Sequence, residues 1–197
     1  LHYCEHLRSG RVDGRAVPIV HVAAPSVIQV DAAHGFCHSA FITAEQQFVD
    51  LIGFHELGHI LTSNYGIAPP NKWLGEFLAS YWSYAYISER QPEWKTVFDL
   101  LGRPSAVRPK NTSLEDFERL YNRVDDYGWY QGSFEARIRE LYPTGGLNFL
   151  TEMKREFPRA ANTGATQAIP PQQVLQRLEK VAPGFKAWSA RFNTGAG

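Results

Sequence analysis

The sequence predicts an α+β domain, mostly α, with a small sheet at its N-terminal end, and three observations predict it. Residues 17 to 42 carry short runs rich in β-branched and aromatic residues, VPIVHV, SVIQV and FCHSAFI, parted by Pro and Gly, which is how strands and their turns read. At Thr43 the apolar spacing changes from alternation to a helical period. From there onward, helical segments dominate.

The elements follow in order. Thr43 with Gln46 makes a capping box, and Phe48, Ile52, His55 and His59 then recur along one face, so the spacing predicts a helix from about 44 to 63, stopped by NYGIAPP. Asn71 can cap a second helix, WLGEFLASYWSYAYISER. Further helical segments are expected near 93–101, 113–123, 126–141, 145–157 and 171–182. PRAANTGATQAIPP, residues 158 to 171, is rich in Ala, Thr, Pro and Gly and reads as a surface connection before a short C-terminal helical piece. NTGAG at the end reads as frayed. No internal repeat is visible. At 197 residues the chain suits one domain, 1–197, with a sheet and helix over 1–63 and a mostly helical part over 64–197.

Composition narrows the partners. Twenty basic and twenty acidic residues cancel, and no run of Lys or Arg forms the footprint of a nucleic-acid or anionic-membrane partner. The uncharged stretch AVPIVHVAAPSVIQV spans 15 residues with two prolines, too short and too broken to cross a bilayer. A soluble protein is expected. No charged segment followed by an apolar one opens the sequence, so the compartment stays open, with a secreted or periplasmic setting compatible. Cys4 and Cys37 pair if that compartment is oxidising and are ordinary buried thiols otherwise.

Chemistry enters at residues 55 to 59, HELGH. On a helix, positions i and i+4 share a face, so the imidazoles of His55 and His59 can converge on one ion. Glu56 turns about 100° away from His55 and brings its carboxylate beside that ion, the arrangement of a zinc peptidase with Glu as general base. Two helix histidines bonded to backbone or water are the plain alternative. Zinc needs a third protein ligand if its fourth position is to stay open for water. A third histidine six residues after His59, with glycine midway, would mark the metzincins; Tyr65 and Thr62 stand there, and that branch fails. No histidine follows His59, so a downstream ligand must be a carboxylate. Glu76 is the best choice, in the first turn of the second helix, where Gly75, Ala79 and Ser83 make a thin ridge that lets helices approach. Asp125 or Asp126 of DDYG would instead make an aspartate-zincin.

HELGH followed by WLGEFLASY resembles the gluzincin metallopeptidases, particularly the aminopeptidase N and leukotriene hydrolase type, whose second motif reads approximately WLNEGFAxY. Trp73, Leu74, Glu76, Ala79 and Tyr81 map onto it, over a likeness that covers residues 55 to 81. Gly75 stands where that family has Asn, and 16 residues separate His59 from Glu76 rather than 18. The family also places a catalytic tyrosine in a Y-E-K-G-type segment leading into a helix. YQGSFEARIREL has a similar shape, with Tyr130 at the tyrosine position, Ser133 in place of Gly, and Tyr127 in reserve; packing tyrosines are the alternative for both. The resemblance implies a thermolysin-like zincin fold, with FCHSAFI either the strand at the cleft edge that pairs with substrate or a plain core strand. His34 and His38 are read as surface or cleft-wall residues.

The expected activity is zinc-dependent hydrolysis of peptide bonds, with one Zn2+ per chain held by His55, His59 and Glu76, Glu56 as general base, and the Tyr130 hydroxyl sharing the oxyanion charge. The partner is then a peptide or protein substrate. Aminopeptidases of the resembled family read the free amine with a glutamate in a G-x-M-E-N segment before the zinc helix. This chain has no glutamate between Glu5 and Glu45, which favours cutting within the chain. A zinc-containing binding module with degenerate chemistry is the reading from another class.

Overall fold

The computed structural model of the protein describes residues 6–12, 15–21, 36–101, 110–121, 126–159 and 169–194, with side chains from Val49 onward except at 100, 101, 193 and 194. The chain divides into two compact units, residues 1–46 and 47–197. In the first, β1 (His6–Val12) and β2 (Arg15–His21) pair antiparallel as a hairpin, with His6 opposite His21 and Val12 opposite Arg15.

The second unit is built from helices, and the expected α+β zincin arrangement is corrected to an all-helical one. Its described residues form no strand, only an isolated bridge between Ile67 and Pro158. Of the three runs read as strands, VPIVH falls in β2, SVIQV lies outside the described residues, and FCHSAFI opens a helix, α1, which runs Phe36–Tyr65. The physical reason lies in that last run. A short apolar stretch fits both periods, and from Phe36 to Ile52 no Gly or Pro interrupts the chain, so the helix expected from residue 44 continues back to residue 36. Thr43 and Gln46 are then interior to α1. The segment offers no sheet edge to a substrate, because its backbone groups belong to the helix.

After residues 66–71 comes α2 (Lys72–Arg90), the central helix of the unit. Asn71 stands at its N-cap position but makes no side-chain cap; its Nδ2 donates to the Ile169 carbonyl instead (3.0 Å). The capping role falls to Glu118, whose Oε1 accepts from the Trp73 amide at 2.8 Å, placing a carboxylate where the helix dipole favours one. A 3-10 turn at Pro92–Trp94 leads into α3 (Lys95–Leu101). Then come α4 (Leu114–Leu120), α5 (Tyr127–Gly145), α6 (Asn148–Glu156), α7 (Pro171–Val181) and α8 (Phe185–Thr194). Residues 160–168 of the expected surface connection lie outside the described set.

Aromatic packing fixes α2 in place. Phe77 is fully buried and its ring meets Phe134 of α5, Phe149 of α6, and Phe185 and Trp188 of α8, at centroid distances of 5.6 to 6.3 Å. Edge-to-face contacts of this kind add roughly 0.5–1.5 kcal/mol each beyond the apolar area they bury. Glu76 precedes Phe77, so the anchor that holds the core also fixes the carboxylate next to it.

Candidate metal centre

The site begins at a close approach between α1 and α2. A Cβ placed on Gly58 would lie 2.4 Å from the Ala79 carbonyl oxygen, so only the missing side chain lets these backbones meet. Of the thin ridge expected on α2, Ala79 is the contact itself and Ser83 bonds back to the Ala79 carbonyl (3.1 Å), while Gly75 faces Pro69. Around the contact the two helices are laid out alike. His55 lies three residues before Gly58 and His59 one after; Glu76 lies three before Ala79 and Ser80 one after. Four polar side chains are thereby brought to one place.

Glu76 Oε2 is 2.9 Å from His55 Nε2 and 3.6 Å from His59 Nε2, with side-chain exposures of 3% for Glu76, 18% for His55 and 35% for His59. The ligand atoms of the three residues lie within 4.8 Å of one another, the group among the described residues able to hold a metal ion. Tetrahedral zinc with bonds of about 2.0–2.1 Å needs ligand atoms about 3.3–3.4 Å apart. These two separations lie on either side of that value, and two imidazoles with one carboxylate are a donor set that zinc accepts. The residues present fit the ion.

Other helices complete the surroundings. Tyr121, just after α4, donates a short hydrogen bond to Glu76 Oε1. From α5, Tyr127 donates to Glu76 Oε2 (2.6 Å), and Gln131 Nε2 donates both to that oxygen (3.1 Å) and to the Tyr127 hydroxyl (2.7 Å). Ser80 Oγ lies 3.1 Å from His55 Nδ1 and donates to Gln131 Oε1 at 3.2 Å. Burial alone would push the Glu76 carboxyl up, but hydrogen bonds from His55, His59, Tyr121 and Tyr127 outweigh it and hold the group well below the usual carboxylate range. The hydrogen bond to Glu76 raises His59; burial opposes, and the charges of Glu76 and Glu56 add to the rise. Burial, joined by the Glu76 charge, pushes both Tyr121 and Tyr127 far up, so both phenols keep their protons and act as donors.

Glu56 is exposed on α1 beside the cluster, near enough for its charge to raise His59 and Tyr121. The structure thus brings together His55 and His59 of the motif with Glu76 of the second helix, and leaves Glu56 exposed beside them. It does not bring Tyr130. That ring is fully buried against Phe117, Trp129 and Phe192, and its hydroxyl is spent on the Ser113 and Asn111 carbonyls, at 2.9 and 3.1 Å. The oxyanion role given to Tyr130 is therefore corrected: the reserve candidate, Tyr127, is the tyrosine of α5 at the site. Asp126 is not a ligand either; its Oδ2 accepts from the Lys110 and Asn111 amides, and Asp125 lies outside the described residues.

Tyr121, Ser80 and Gln131 were not singled out by sequence reasoning. Two of them carried a signal, since Ser80 is four residues after Glu76 and Gln131 four after Tyr127, each on the face of a residue already in question. Tyr121 carried none. A consequence for Tyr130 can be measured: Tyr130→Phe should cost about 0.5–1.5 kcal/mol of stability, from loss of a hydroxyl that bonds two part-buried carbonyls, while zinc uptake stays at the unsubstituted level. Urea denaturation beside a zinc titration reads both, and loss of zinc with unchanged stability would return Tyr130 to the site.

No protein-family model matches the chain, and comparison with the curated proteins and with solved structures likewise finds no match.

Proposed function

We propose that this chain is a zinc-dependent peptidase with a gluzincin-type ligand set, cutting within peptides or proteins. The observation that carries the reading is the convergence of both HELGH imidazoles on one oxygen of a buried carboxylate from the next helix. His55, His59 and Glu76 would hold the ion. A zinc ion bound there supplies Lewis-acid polarisation of a carbonyl and lowers the pKa of a water toward about 7.

The chain's own residues perform the rest. Glu56, exposed at the rim, takes the proton from the attacking water and hands it to the leaving amine, which is general base and then general acid catalysis by one carboxylate. Tyr127 gives its single hydroxyl proton to Glu76 Oε2, the oxygen that both imidazoles face, so it orients the ligand carboxylate, and the charge that develops on the substrate carbonyl is left to the ion. Tyr121 holds the far oxygen of Glu76 and fixes the carboxylate plane.

The experiment is a zinc titration of metal-free protein followed by incubation with an unfolded protein and with N-blocked peptides. One zinc per chain and cleavage of both substrates are expected. His59→Ala and Glu76→Ala should each weaken zinc binding by more than about a hundredfold, because even residues outside the ligand set commonly cost 10–100-fold. Unchanged zinc uptake in both variants would remove the site. Stoichiometric zinc without cleavage would leave a zinc-binding interaction module. Cleavage of free but not N-blocked peptides would make it an aminopeptidase.

A further inference from the structure

We infer that Ser80 and Gln131 are positioning residues which fix the tautomer of His55, so that Nε2 is the nitrogen offered to the cation. The inference deepens the metal reading and rests on it. Its basis is the direction of a closed ring of hydrogen bonds. Gln131 has one amide group and faces three partners: Glu76 Oε2 at 3.1 Å, the Tyr127 hydroxyl at 2.7 Å and Ser80 Oγ at 3.2 Å. A carboxylate oxygen only accepts, so the NH2 end of the amide must face Glu76. The opposite orientation would set a carbonyl oxygen against a carboxylate oxygen at hydrogen-bond distance.

Everything else in the ring follows from that one constraint. With its NH2 end turned to Glu76 and Tyr127, Gln131 presents Oε1 to Ser80, which must donate its single hydroxyl proton there. The Ser80 oxygen then has only lone pairs left for His55 Nδ1, 3.1 Å away. Nδ1 therefore carries a proton, and Nε2, the hydrogen-bond partner of Glu76 Oε2 at 2.9 Å, is the nitrogen that would give up its proton to a cation there. A histidine ligand needs its second nitrogen engaged in this way for its ring to be oriented and its tautomer set. Here the partner is neither a carboxylate nor a backbone carbonyl. It is a serine whose polarity is dictated, through Gln131, by the third ligand of the same site, so one ligand orients another along a path that does not pass through the ion.

The test uses zinc-loaded full-length chain with Gln131→Met, which keeps the side-chain volume, and Ser80→Ala, which leaves the Gln131 to Glu76 bond in place; if the first fails to fold, the second carries the test. Zinc Kd is measured by chelator competition, and the His55 tautomer by nitrogen NMR on histidine-labelled protein. In the unsubstituted protein, a proton on His55 Nδ1 protected from solvent exchange is expected. In each variant Kd should rise about 10–100-fold, with that protection lost. A Kd in both variants within about threefold of the starting value, or a weakened Kd with the protected Nδ1 proton intact, overturns the relay. Unsubstituted protein that takes up no zinc overturns the metal site itself, and the relay with it.

Discussion

Glu56→Gln should leave one zinc bound per chain and reduce peptidase turnover by about 10²–10⁴-fold, the usual worth of a positioned general acid and base, or roughly 3–5 kcal/mol of barrier. Glutamine keeps the shape and the helix propensity of glutamate but accepts no proton at neutral pH. The glutamate is exposed and is not among the three residues whose ligand atoms cluster, so the change should move stability by no more than about 0.5 kcal/mol. The expected signature is therefore a split: zinc affinity and thermal midpoint unmoved, kcat collapsed. Zinc content measured beside single-turnover cleavage of an unfolded protein reads it. A variant that keeps more than about a tenth of the rate would take Glu56 out of the mechanism and with it the strongest reason to regard HELGH as more than a metal clasp.

What could be read from the chain, and what could not, divides along the range of the interaction. His55 and His59 were legible because their convergence is a property of one helix. Glu76 was legible because a short connection and a strand of small residues on α2 limit where the next helix can go. The choice between Tyr127 and Tyr130 was not settled locally. They stand three residues apart on α5, and which one meets α2 depends on how that helix is rotated against its neighbours. A clue was present all the same: Tyr130, Phe134, Ile138 and Leu141 form a buried stripe at helical spacing, which marks Tyr130 as core, whereas Tyr127 and Gln131 share the adjoining polar stripe. The resemblance to a Y-E-K-G-type segment pointed past that clue. The helix found where FCHSAFI was read as a strand has a different cause. β-branched runs of five to seven residues fit a pleated strand and a buried helix turn equally, and the continuity of α1 back to residue 36 is decided by the absence of a breaker rather than by any strong helix signal. α8 was not among the expected helices, although Phe185, Trp188 and Phe192 recur at helical spacing and all three are buried.

The same dependence on a single close contact makes Gly58→Ala the most damaging small change expected in the fold. In an open helix, alanine is better than glycine by about 0.8–1 kcal/mol. Gly53, one turn earlier on α1, is such a place: a Cβ there meets nothing within 4 Å, and Gly53→Ala should stabilise the protein by about that amount. At Gly58 the added carbon would lie 2.4, 2.7 and 2.9 Å from the oxygen, Cα and carbonyl carbon of Ala79. All three are backbone atoms, so no rotamer change relieves the clash and the helices themselves must separate. Overpacking of this kind costs about 1–3 kcal/mol and sometimes more, against the propensity gain, so a net loss is expected where its neighbour shows a net gain. The larger consequence is at the site. His55 and His59 flank Gly58 just as Glu76 and Ser80 flank Ala79, so any separation of the backbones is transmitted directly to the gaps between ligand atoms, now 2.9 and 3.6 Å. Zinc tolerates little stretching of its bonds, and its affinity should fall at least about tenfold, the scale on which disturbed ligand geometry is felt. Denaturation curves and zinc Kd values for the two glycine variants, compared side by side, give the answer. If Gly58→Ala gains stability as Gly53→Ala does and binds zinc as before, the two helices do not cross at this point, and the geometry from which the whole site is built is wrong.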